Sequence, residues 1–231
     1  MGQGAKHALS LVAAELLGVE PTAIRIPDPD TAIVPYDTRT TSSRSTYMMS
    51  RALEAAAADL RDNGRRGFGE AVDEGGLDPH TGQGIASTHW HQGAAAAEVR
   101  IDEETGKLEV VRLHSSIYAG RVVDRAAAEL QTEGSMIMGL GTALFEEVVY
   151  RDGQVVNANL SDYPVSAFAD LPGGLTCELI ERKGAEIHGL GETALPPVPP
   201  AIGNALASLG RSLTDLPMTP ETVLRAETVL G

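Results

Sequence analysis

The chain has 231 residues and a net charge of −14 at neutral pH, with 42% hydrophobic and 22% charged residues. This is ordinary globular composition, and the length suffices for one large domain or two small ones. The acidic balance disfavours nucleic acid and anionic membranes as partners, because both require a basic surface.

Cysteine usage and hydropathy indicate the cellular compartment that fits the chain. The single cysteine, Cys177, cannot form an internal disulfide, hold an iron–sulfur cluster alone or build a thiolate zinc site, and it fits a reducing compartment. No apolar run approaches the roughly 18 residues of a membrane span, and the N-terminus does not follow the order of a signal peptide. We therefore predict a cytoplasmic protein without a membrane span or a leader.

The first third of the chain predicts two helices. Residues 5–17 carry apolar side chains at helical spacing and end at Gly18, a typical C-cap. Ile24 and Ile26 alternate with their neighbours, which predicts a short strand. Residues 47–62, YMMSRALEAAAADLRD, predict the second helix.

The middle of the chain begins with a segment that shows no pattern of regular secondary structure. Residues 62–88 are rich in Gly, Asp and Pro and predict a long surface excursion. Residues 94–120 predict a hairpin around DEETGK, since apolar residues alternate on both sides. Residues 122–148 predict a helix, although it carries Gly134, Gly139 and Gly141. Glycines inside a helix cost about 1 kcal/mol each and indicate close backbone approach.

The last third adds a tight hairpin at Asp152-Gly153, a strand over 175–182 and a helix over 201–210. A final helix begins after Thr219, the predicted N-cap, with a proline at its first position. Helices and antiparallel hairpins are thus mixed without a regular βαβ alternation. The predicted fold class is α+β.

Two stretches place polar groups at helix N-termini, where free N–H groups attract anions. In MGQGAKHAL, the glycines Gly2 and Gly4 flank Gln3, whose amide both donates and accepts hydrogen bonds. The simpler alternative is a flexible start of the chain. In TTSSRST, hydroxyls and a guanidinium combine as in a phosphate cradle, whereas an ordinary N-cap needs only one hydroxyl. The members of this candidate cradle are Ser42, Ser43, Arg44, Ser45 and Thr46.

Three further features could carry chemistry. THWH places His89 and His91 at a spacing that can ligate a metal, but no third ligand is evident, and surface or packing histidines fit better. Gln131 lies in an otherwise apolar helix, where a buried amide would need partners for both ends. Glu192 stands in HGLGETALPPVPPAIGNAL; burial there would raise its pKa toward that of a general base, whereas most glutamates are solvated.

The order of these motifs resembles the C-terminal half of the molybdopterin-binding subunit of the molybdenum hydroxylases, the xanthine dehydrogenase and aldehyde oxidase family. The motifs are GQG, SSRST, AEVRIDEETGKLEV, LQTEGSMIMGLGTALFEE and GLGETALPPVPPAIGNAL followed by LPMTPE. The resemblance covers nearly the whole chain apart from the loose region. It implies a first cofactor-binding lobe over 1–61, a linker over 62–94 and a second lobe over 95–231.

The resemblance also implies roles for single residues. The Gly2-Gln3-Gly4 turn and Gln131 would hydrogen-bond the pterin, and SSRST would bind the phosphate end of the cofactor. Glu192 would be the catalytic base beside molybdenum. Small residues around it, Gly191 among them, would let its turn press against the metal centre. The prolines that follow would fix the direction of the carboxylate.

The implied function is hydroxylation of an electron-poor carbon in an N-heteroaromatic, a purine or an aldehyde, with oxygen derived from water. The implied cofactor is molybdopterin with molybdenum, in the cytosine dinucleotide form common in bacteria. No residue of this chain is predicted to ligate a metal. Because the family's N-terminal half is missing, we expect a split subunit that works with a large molybdopterin subunit, a [2Fe-2S] subunit and an FAD subunit.

Two other hypotheses stay open at this stage. A degenerate paralogue could act as a scaffold or store cofactor, but it would have no chemical need for Glu192. A stand-alone metal module built on THWH lacks further ligands. The chain also departs from the family pattern in SIYAGRVVDRAA, where Tyr118-Ala119-Gly120 and Asp124-Arg125 replace the family's acidic residue and Asn-Pro.

Overall fold

The computed structural model of the chain describes residues 2–37, 39–72, 75–87 and 90–228. Two compact units are each assembled from three segments. Unit 1 comprises Met1–His91, Tyr118–Ala128 and Ile180–Gly191, and unit 2 comprises Gln92–Ile117, Glu129–Leu179 and Glu192–Gly231. The division into lobes at residues 62–94 stays a prediction.

Helices and strands alternate irregularly along the chain, so the predicted α+β class is confirmed. Among the described residues, no helix combines the length and the apolar character needed to cross a bilayer. The elements are α1 (Ala5–Leu17), α2 (Ser45–Asn63), β1 (Gly76–Leu77), β2 (Gly84–Ile85), β3 (Gly93–Ile101), β4 (Leu108–Gly120), α3 (Arg125–Leu144), β5 (Tyr150–Arg151), β6 (Gln154–Val155), β7 (Gly174–Glu181), α4 (Val198–Ser208), β8 (Arg211–Ser212), α5 (Pro220–Arg225) and β9 (Glu227–Thr228).

Unit 1 is built on the two predicted helices, α1 and α2, which pack against each other. Their facing sides bury small and apolar residues, which are Val12, Ala13, Ala14, Tyr47, Met48 and Ala57. The predicted C-cap is confirmed, since Gly18 is left-handed (φ 65°) and its N–H bonds back to the helix. The predicted strand at Ile24 and Ile26 is wrong. A 3₁₀ turn over Pro21–Ala23 precedes these residues, and Ile26 lies exposed without a strand partner in the described chain.

The segment after α2 folds back along that helix. A Cβ on Gly67 would lie 1.9 Å from the carbonyl oxygen of Ala56, and a Cβ on Gly69 would lie 2.0 Å from that of Ala52. Only glycine permits this approach, because the contact is with backbone atoms that cannot turn away. The Phe68 N–H also donates to the Asp59 carboxylate at 2.8 Å.

Unit 2 centres on a three-stranded sheet in the order β3-β4-β7. The predicted hairpin is confirmed as the antiparallel pair β3 and β4, with a bulge between Glu98 and Val99. In its turn, the amides of Thr105 and Glu104 donate to Asp102 and hold the pKa of that carboxyl below its usual range. Helix α4 packs on β3, whose alanine run leaves room for a helix.

Helix α3 forms where it is predicted, and two of its three glycines have a packing reason. A Cβ on Gly139 would lie 2.7 Å from the Leu195 carbonyl oxygen and 2.8 Å from Val198. A Cβ on Gly141 would meet the Glu146 carboxylate at 2.2 Å. Gly134 differs, because a Cβ there would meet no described atom within 4 Å. The expected close approach of backbone therefore holds at Gly139, whereas Gly141 faces the movable end of the Glu146 side chain.

Local turn chemistry is also confirmed near the C-terminal end. Asp152 and Gly153 both take positive φ, at 48° and 77°, as a type I′ hairpin turn between β5 and β6 requires. Thr219 caps α5, since its side chain accepts a hydrogen bond from the Thr222 amide at 3.2 Å.

One buried hydroxyl in α3 lacks a hydrogen bond. Ser135 is fully buried, and its Oγ has no partner among the described residues. A buried unsatisfied hydroxyl costs about 1–3 kcal/mol of desolvation.

We therefore expect Ser135→Ala to raise the free energy of unfolding by about 1 kcal/mol and the melting midpoint by about 2–4 °C, measured by calorimetry. Ser50→Ala is the matched control, because buried Ser50 donates to the Thr46 carbonyl within α2. The control should be neutral or less stable. A lower midpoint for Ser135→Ala than for the control would contradict this reading of the hydroxyl.

Candidate functional site

The glycine-flanked glutamine lies at the entrance of α1. Gly2 and Gly4 both take left-handed φ, at 90° and 81°, and Gly4 is the N-cap without a side-chain hydrogen bond. Gln3 is half-buried between them. The first turn of α1 contains no acidic residue. This helix end therefore presents backbone donors and an amide to an acceptor-rich ligand.

The SSRST segment, residues 42–46, forms a strained loop at the start of α2, called the 42–46 loop below. Ser42 and Ser43 both take left-handed φ, at 51° and 52°, which is rare for residues other than glycine. Strain of this kind costs about 1–3 kcal/mol per residue and concentrates at ligand sites. The ordinary hydroxyl N-cap is not what forms here, because the N-cap residue is Arg44, without a side-chain cap bond.

A turn from a distant part of the sequence presses on this loop. Residues 189–191, called the glycine turn below, pack so closely that a Cβ on Gly189 would lie 1.7 Å from the Ser43 carbonyl oxygen. A Cβ on Gly191 would lie 3.2 Å from the Ser43 hydroxyl oxygen. Gly189 is thus explained within unit 1, because its backbone touches the Ser43 backbone, whereas Gly191 faces the Ser43 side chain.

His91 joins the same loop and turn. Its Nδ1 lies 3.3 Å from the Gly189 carbonyl oxygen, and its Nε2 lies 3.2 Å from the Ser42 carbonyl oxygen. His89 lies outside the described residues. No group of three metal-ligating side chains occurs in the described part of the chain, and His91 faces backbone instead.

The segment leading into the glycine turn is anchored by rings and backbone. The His188 ring stacks edge-on against Tyr118 at 4.9 Å and lies 6.4 Å from the Tyr47 ring. The His188 N–H donates to the Ala119 carbonyl oxygen at 3.2 Å, and Ile187 bridges Gly120. The glycine turn therefore begins from a fixed position on unit 1.

Glu192 begins the last segment of unit 2. Its side chain is exposed, as in the alternative of a solvated acid that the sequence left open. The inward positions are instead taken by Thr193 and Ala194, both buried. The Leu195 N–H donates to the Glu192 carbonyl oxygen at 3.3 Å, and the proline cluster leads directly into α4. The carboxylate thus projects from a turn with a rigid exit.

Gln131 lies half-buried on α3 in unit 2. Residues 131, 135 and 139 follow one stripe of this helix, since positions four apart share a face. At Gly139 the stripe meets the Leu195 carbonyl and Val198, just beyond Glu192 in sequence. Unit 2 therefore packs the helix that carries Gln131 against the segment that follows Glu192.

Sequence reasoning missed the role of the atypical segment before α3. Asp124 Oδ1 accepts a hydrogen bond from the Ala127 N–H at 3.1 Å, which caps α3. Asp124 Oδ2 lies 3.1 Å from Nε2 of His7, in the first turn of α1. Arg121 also pairs with Glu15 of α1. An Asp directly before a helix is a cap signal in the sequence, but its partner His7 on α1 leaves no such signal.

Comparison with known families and proteins gives a consistent result. A family model described as the molybdopterin cofactor-binding domain matches residues 1–74 and 65–172. The chain is 27% identical over 267 aligned positions to the "Xanthine dehydrogenase molybdenum-binding subunit" of Escherichia coli, covering 96% of this chain and 36% of that protein. It is 26% identical to the "6-hydroxypseudooxynicotine dehydrogenase complex subunit gamma" of Paenarthrobacter nicotinovorans, covering 96% and 34%.

A solved structure shares the fold. The aldehyde oxidoreductase from Desulfovibrio desulfuricans superimposes with a TM-score of 0.84 at 24% identity, covering 98% of this chain and 28% of that one. At this identity the match shows the fold alone. The chain spans about a third of the length of the curated relatives it matches.

The Gly189–Ser43 contact gives a direct prediction. Gly189→Ala places a methyl group against a backbone carbonyl, so we expect a loss of about 1–3 kcal/mol in the free energy of unfolding, measured by thermal melting. Gly173→Ala is the control, since a Cβ there meets no described atom within 4 Å. Equal melting midpoints for the two variants would contradict the close contact.

Proposed function

Since the chain belongs to the molybdopterin cofactor-binding domain family, we propose that it supplies cofactor contacts and the catalytic base of a molybdenum hydroxylase. The observation that carries the proposal is the position of Glu192 in the chain. Its carboxylate directly follows a glycine turn that is held against the 42–46 loop without room for a Cβ. A base must be held in place by its surroundings to act, and this turn is held by backbone contact.

The 42–46 loop fits the phosphate end of a pterin dinucleotide. It combines Ser42 and Ser43 in strained geometry with Arg44 and the start of a nineteen-residue helix. Ser45 and Thr46 add hydroxyls in the first turn, which carries no acid to repel an anion. Hydroxyls, free N–H groups and a guanidinium are the donors that phosphate takes in proteins. We infer the cytosine dinucleotide form of the cofactor.

The pterin ring system needs donors and acceptors together, and the two glutamines fit that requirement. Gln3 presents an amide between Gly2 and Gly4, where the backbone is bare, and Gln131 presents one from α3. An amide donates and accepts at once, as a heterocycle with ring nitrogens and a keto group requires. We propose that Gly191 contributes because it has no side chain to hinder the approach of the cofactor.

When bound, the molybdenum–pterin group supplies the two-electron oxidation of the substrate. The chain supplies proton transfer, with the Glu192 carboxylate taking the proton that must leave as the oxygen derived from water attacks carbon. The proline exit into α4 fixes the direction of the carboxylate, and the buried Thr193 and Ala194 hold the turn. The substrates that fit this chemistry are N-heteroaromatics, purines and aldehydes.

The proposal of partners rests on the chain's span of about a third of its relatives' length and on its exposed apolar residues. Phe168 in unit 2 is 92% exposed, and Tyr36 in unit 1 is 90% exposed. Covering such side chains with a partner would remove apolar surface from water, which is favourable. We propose that a large molybdopterin subunit covers them, and that [2Fe-2S] and FAD subunits carry the electrons away.

The proposal is tested by affinity purification of the chain from its native host, with molybdenum and iron quantified in the recovered material. We expect a larger molybdopterin subunit, flavin and near-stoichiometric molybdenum. Recovery of the chain alone and free of molybdenum would favour the scaffold hypothesis instead.

Glu192→Gln keeps the shape of the side chain and removes the base. We expect turnover to fall by about 10²–10⁴-fold while molybdenum and pterin contents stay unchanged. Glu186→Gln is the control, because Glu186 is an exposed acid on the segment leading to the same turn. Steady-state kinetics with metal analysis measure both. Full activity of Glu192→Gln would exclude its role as base.

Arg44→Ala removes the guanidinium from the 42–46 loop. Because a hydrogen bond to a charged group contributes about 1.5–3 kcal/mol, we expect cofactor affinity to fall by about ten- to a hundredfold. Pterin released on gel filtration is measured by fluorescence after oxidation. Arg65→Ala, an exposed arginine beyond α2, should keep the cofactor. Equal retention by both variants would contradict the phosphate role.

A further inference from the structure

We propose that Arg121 is a positioning residue, which holds helix α1 in a fixed arrangement with the segment that enters the glycine turn. Residues 119–124, which carry Arg121, are called the connecting segment below. This segment and both of its partners lie in unit 1. The inference rests on the function proposed above, because that function assigns the turn at the start of α1, around Gln3, to the cofactor.

The connecting segment is joined to residues 182–188 through its backbone. The Arg121 N–H donates to the Glu186 carbonyl oxygen at 3.0 Å. The Arg182 N–H donates to the Gly120 carbonyl oxygen at 2.9 Å. A Cβ on Gly120 would lie 2.2 Å from the Glu186 carbonyl oxygen, and its φ is 63°, so only glycine fits there. The backbone of Arg121 is therefore fixed against the segment that enters the glycine turn.

Side chains of the connecting segment contact α1 at two places. The Arg121 guanidinium donates to the Glu15 carboxylate, in the last turn of the helix. Asp124 Oδ2 lies 3.1 Å from Nε2 of His7, in the first turn. Eight residues separate His7 from Glu15, which is about 12 Å along the axis of a helix. Contacts this far apart restrict both the position and the direction of α1.

Arg121 is the residue that joins the two attachments. Its N–H binds the Glu186 carbonyl oxygen and its side chain binds Glu15, so one residue links the helix to the segment before the glycine turn. The guanidinium is always charged in proteins. The side chains of Arg121 and Glu15 are 42% and 62% exposed. An exposed pair of this kind changes an equilibrium constant by about two- to fivefold.

The start of α1 moves with the rest of the helix. The Ala8 N–H donates to the Gly4 carbonyl oxygen at 3.0 Å, which joins the turn around Gln3 to the first helical residues. A change in the direction of α1 therefore displaces the Gln3 amide from the position that binds the pterin. For this reason Arg121 acts on cofactor affinity and not only on the stability of the fold.

The test reverses the charges of the pair in the complex purified from the native host. Arg121→Glu places two carboxylates together, and Glu15→Arg places two guanidinium groups together. We expect each single variant to release about two- to fivefold more pterin on gel filtration than the wild type. The double variant exchanges the two charges and should restore retention, because the pair forms again in the opposite sense. Arg121→Gln removes the charge without adding repulsion and gives the same comparison if the reversed charge prevents folding.

The matched control is the pair Arg100 and Glu109, which is also exposed, is joined at 2.9 Å and links β3 to β4 in unit 2. Arg100→Glu should retain pterin as the wild type does. Melting midpoints are measured for all variants. Wild-type retention of pterin by Arg121→Glu and Arg121→Gln, even with a lower midpoint, would overturn the proposal. A loss that the double variant does not restore would also overturn it.

Hydrogen exchange of the same samples separates this proposal from the proposed function. A peptide covering residues 2–9 reports on the start of α1. Its protection should fall in both single variants and return in the double variant, whereas Arg100→Glu should leave it unchanged. A wild-type complex without pterin or molybdenum would contradict the proposed function. Exchange of this peptide would then still decide whether Arg121 positions α1, and equal protection in all variants would exclude it.

Discussion

The contact between the Gly189 backbone and the Ser43 carbonyl is the constraint on which the candidate site depends. There is no room at Gly189 for even a methyl group. Ser43 in turn takes a left-handed conformation that a serine adopts only when its surroundings impose it. The contact thus couples two strained or bare backbone segments, so that a loop suited to phosphate and the turn that precedes the candidate base are parts of one structure.

The same principle appears in unit 2 with different residues. Gly139 brings α3 within backbone contact of Leu195, so the helix carrying Gln131 and the segment following Glu192 share one packing surface. Any residue larger than glycine would keep these backbone segments further apart. A contact made through long side chains would also cost the rotamer freedom of those side chains. In both units, glycine therefore serves to fix the position of polar residues whose own side chains remain accessible.

The sequence predicted the helices and hairpins well because their signals are local. Helical spacing, the Asp152-Gly153 turn and the Thr219 cap each depend on residues within a few positions. The prediction of a strand at Ile24 and Ile26 was wrong because it depended on a local signal that was too short. Two alternating residues near prolines carry too little information to define a strand. The sequence left open whether Glu192 is buried, because neighbours in sequence do not determine neighbours in space. In the structure Thr193 and Ala194 occupy the interior and Glu192 is exposed.

The site beyond these elements could not be predicted, because its contacts join distant segments through backbone atoms. A carbonyl oxygen belongs to every residue, so the Ser42 and Gly189 carbonyls that face His91 have no signature in the sequence. The His-x-His pattern suggests a metal site because a sequence shows which side chains could ligate a metal. It does not show which backbone atoms a side chain contacts. The His91 ring instead contacts two backbone carbonyl oxygens from distant segments of the chain. The role of a histidine therefore depends on the groups that its ring contacts. For His91 the fold provides the carbonyl oxygens of Ser42 and Gly189.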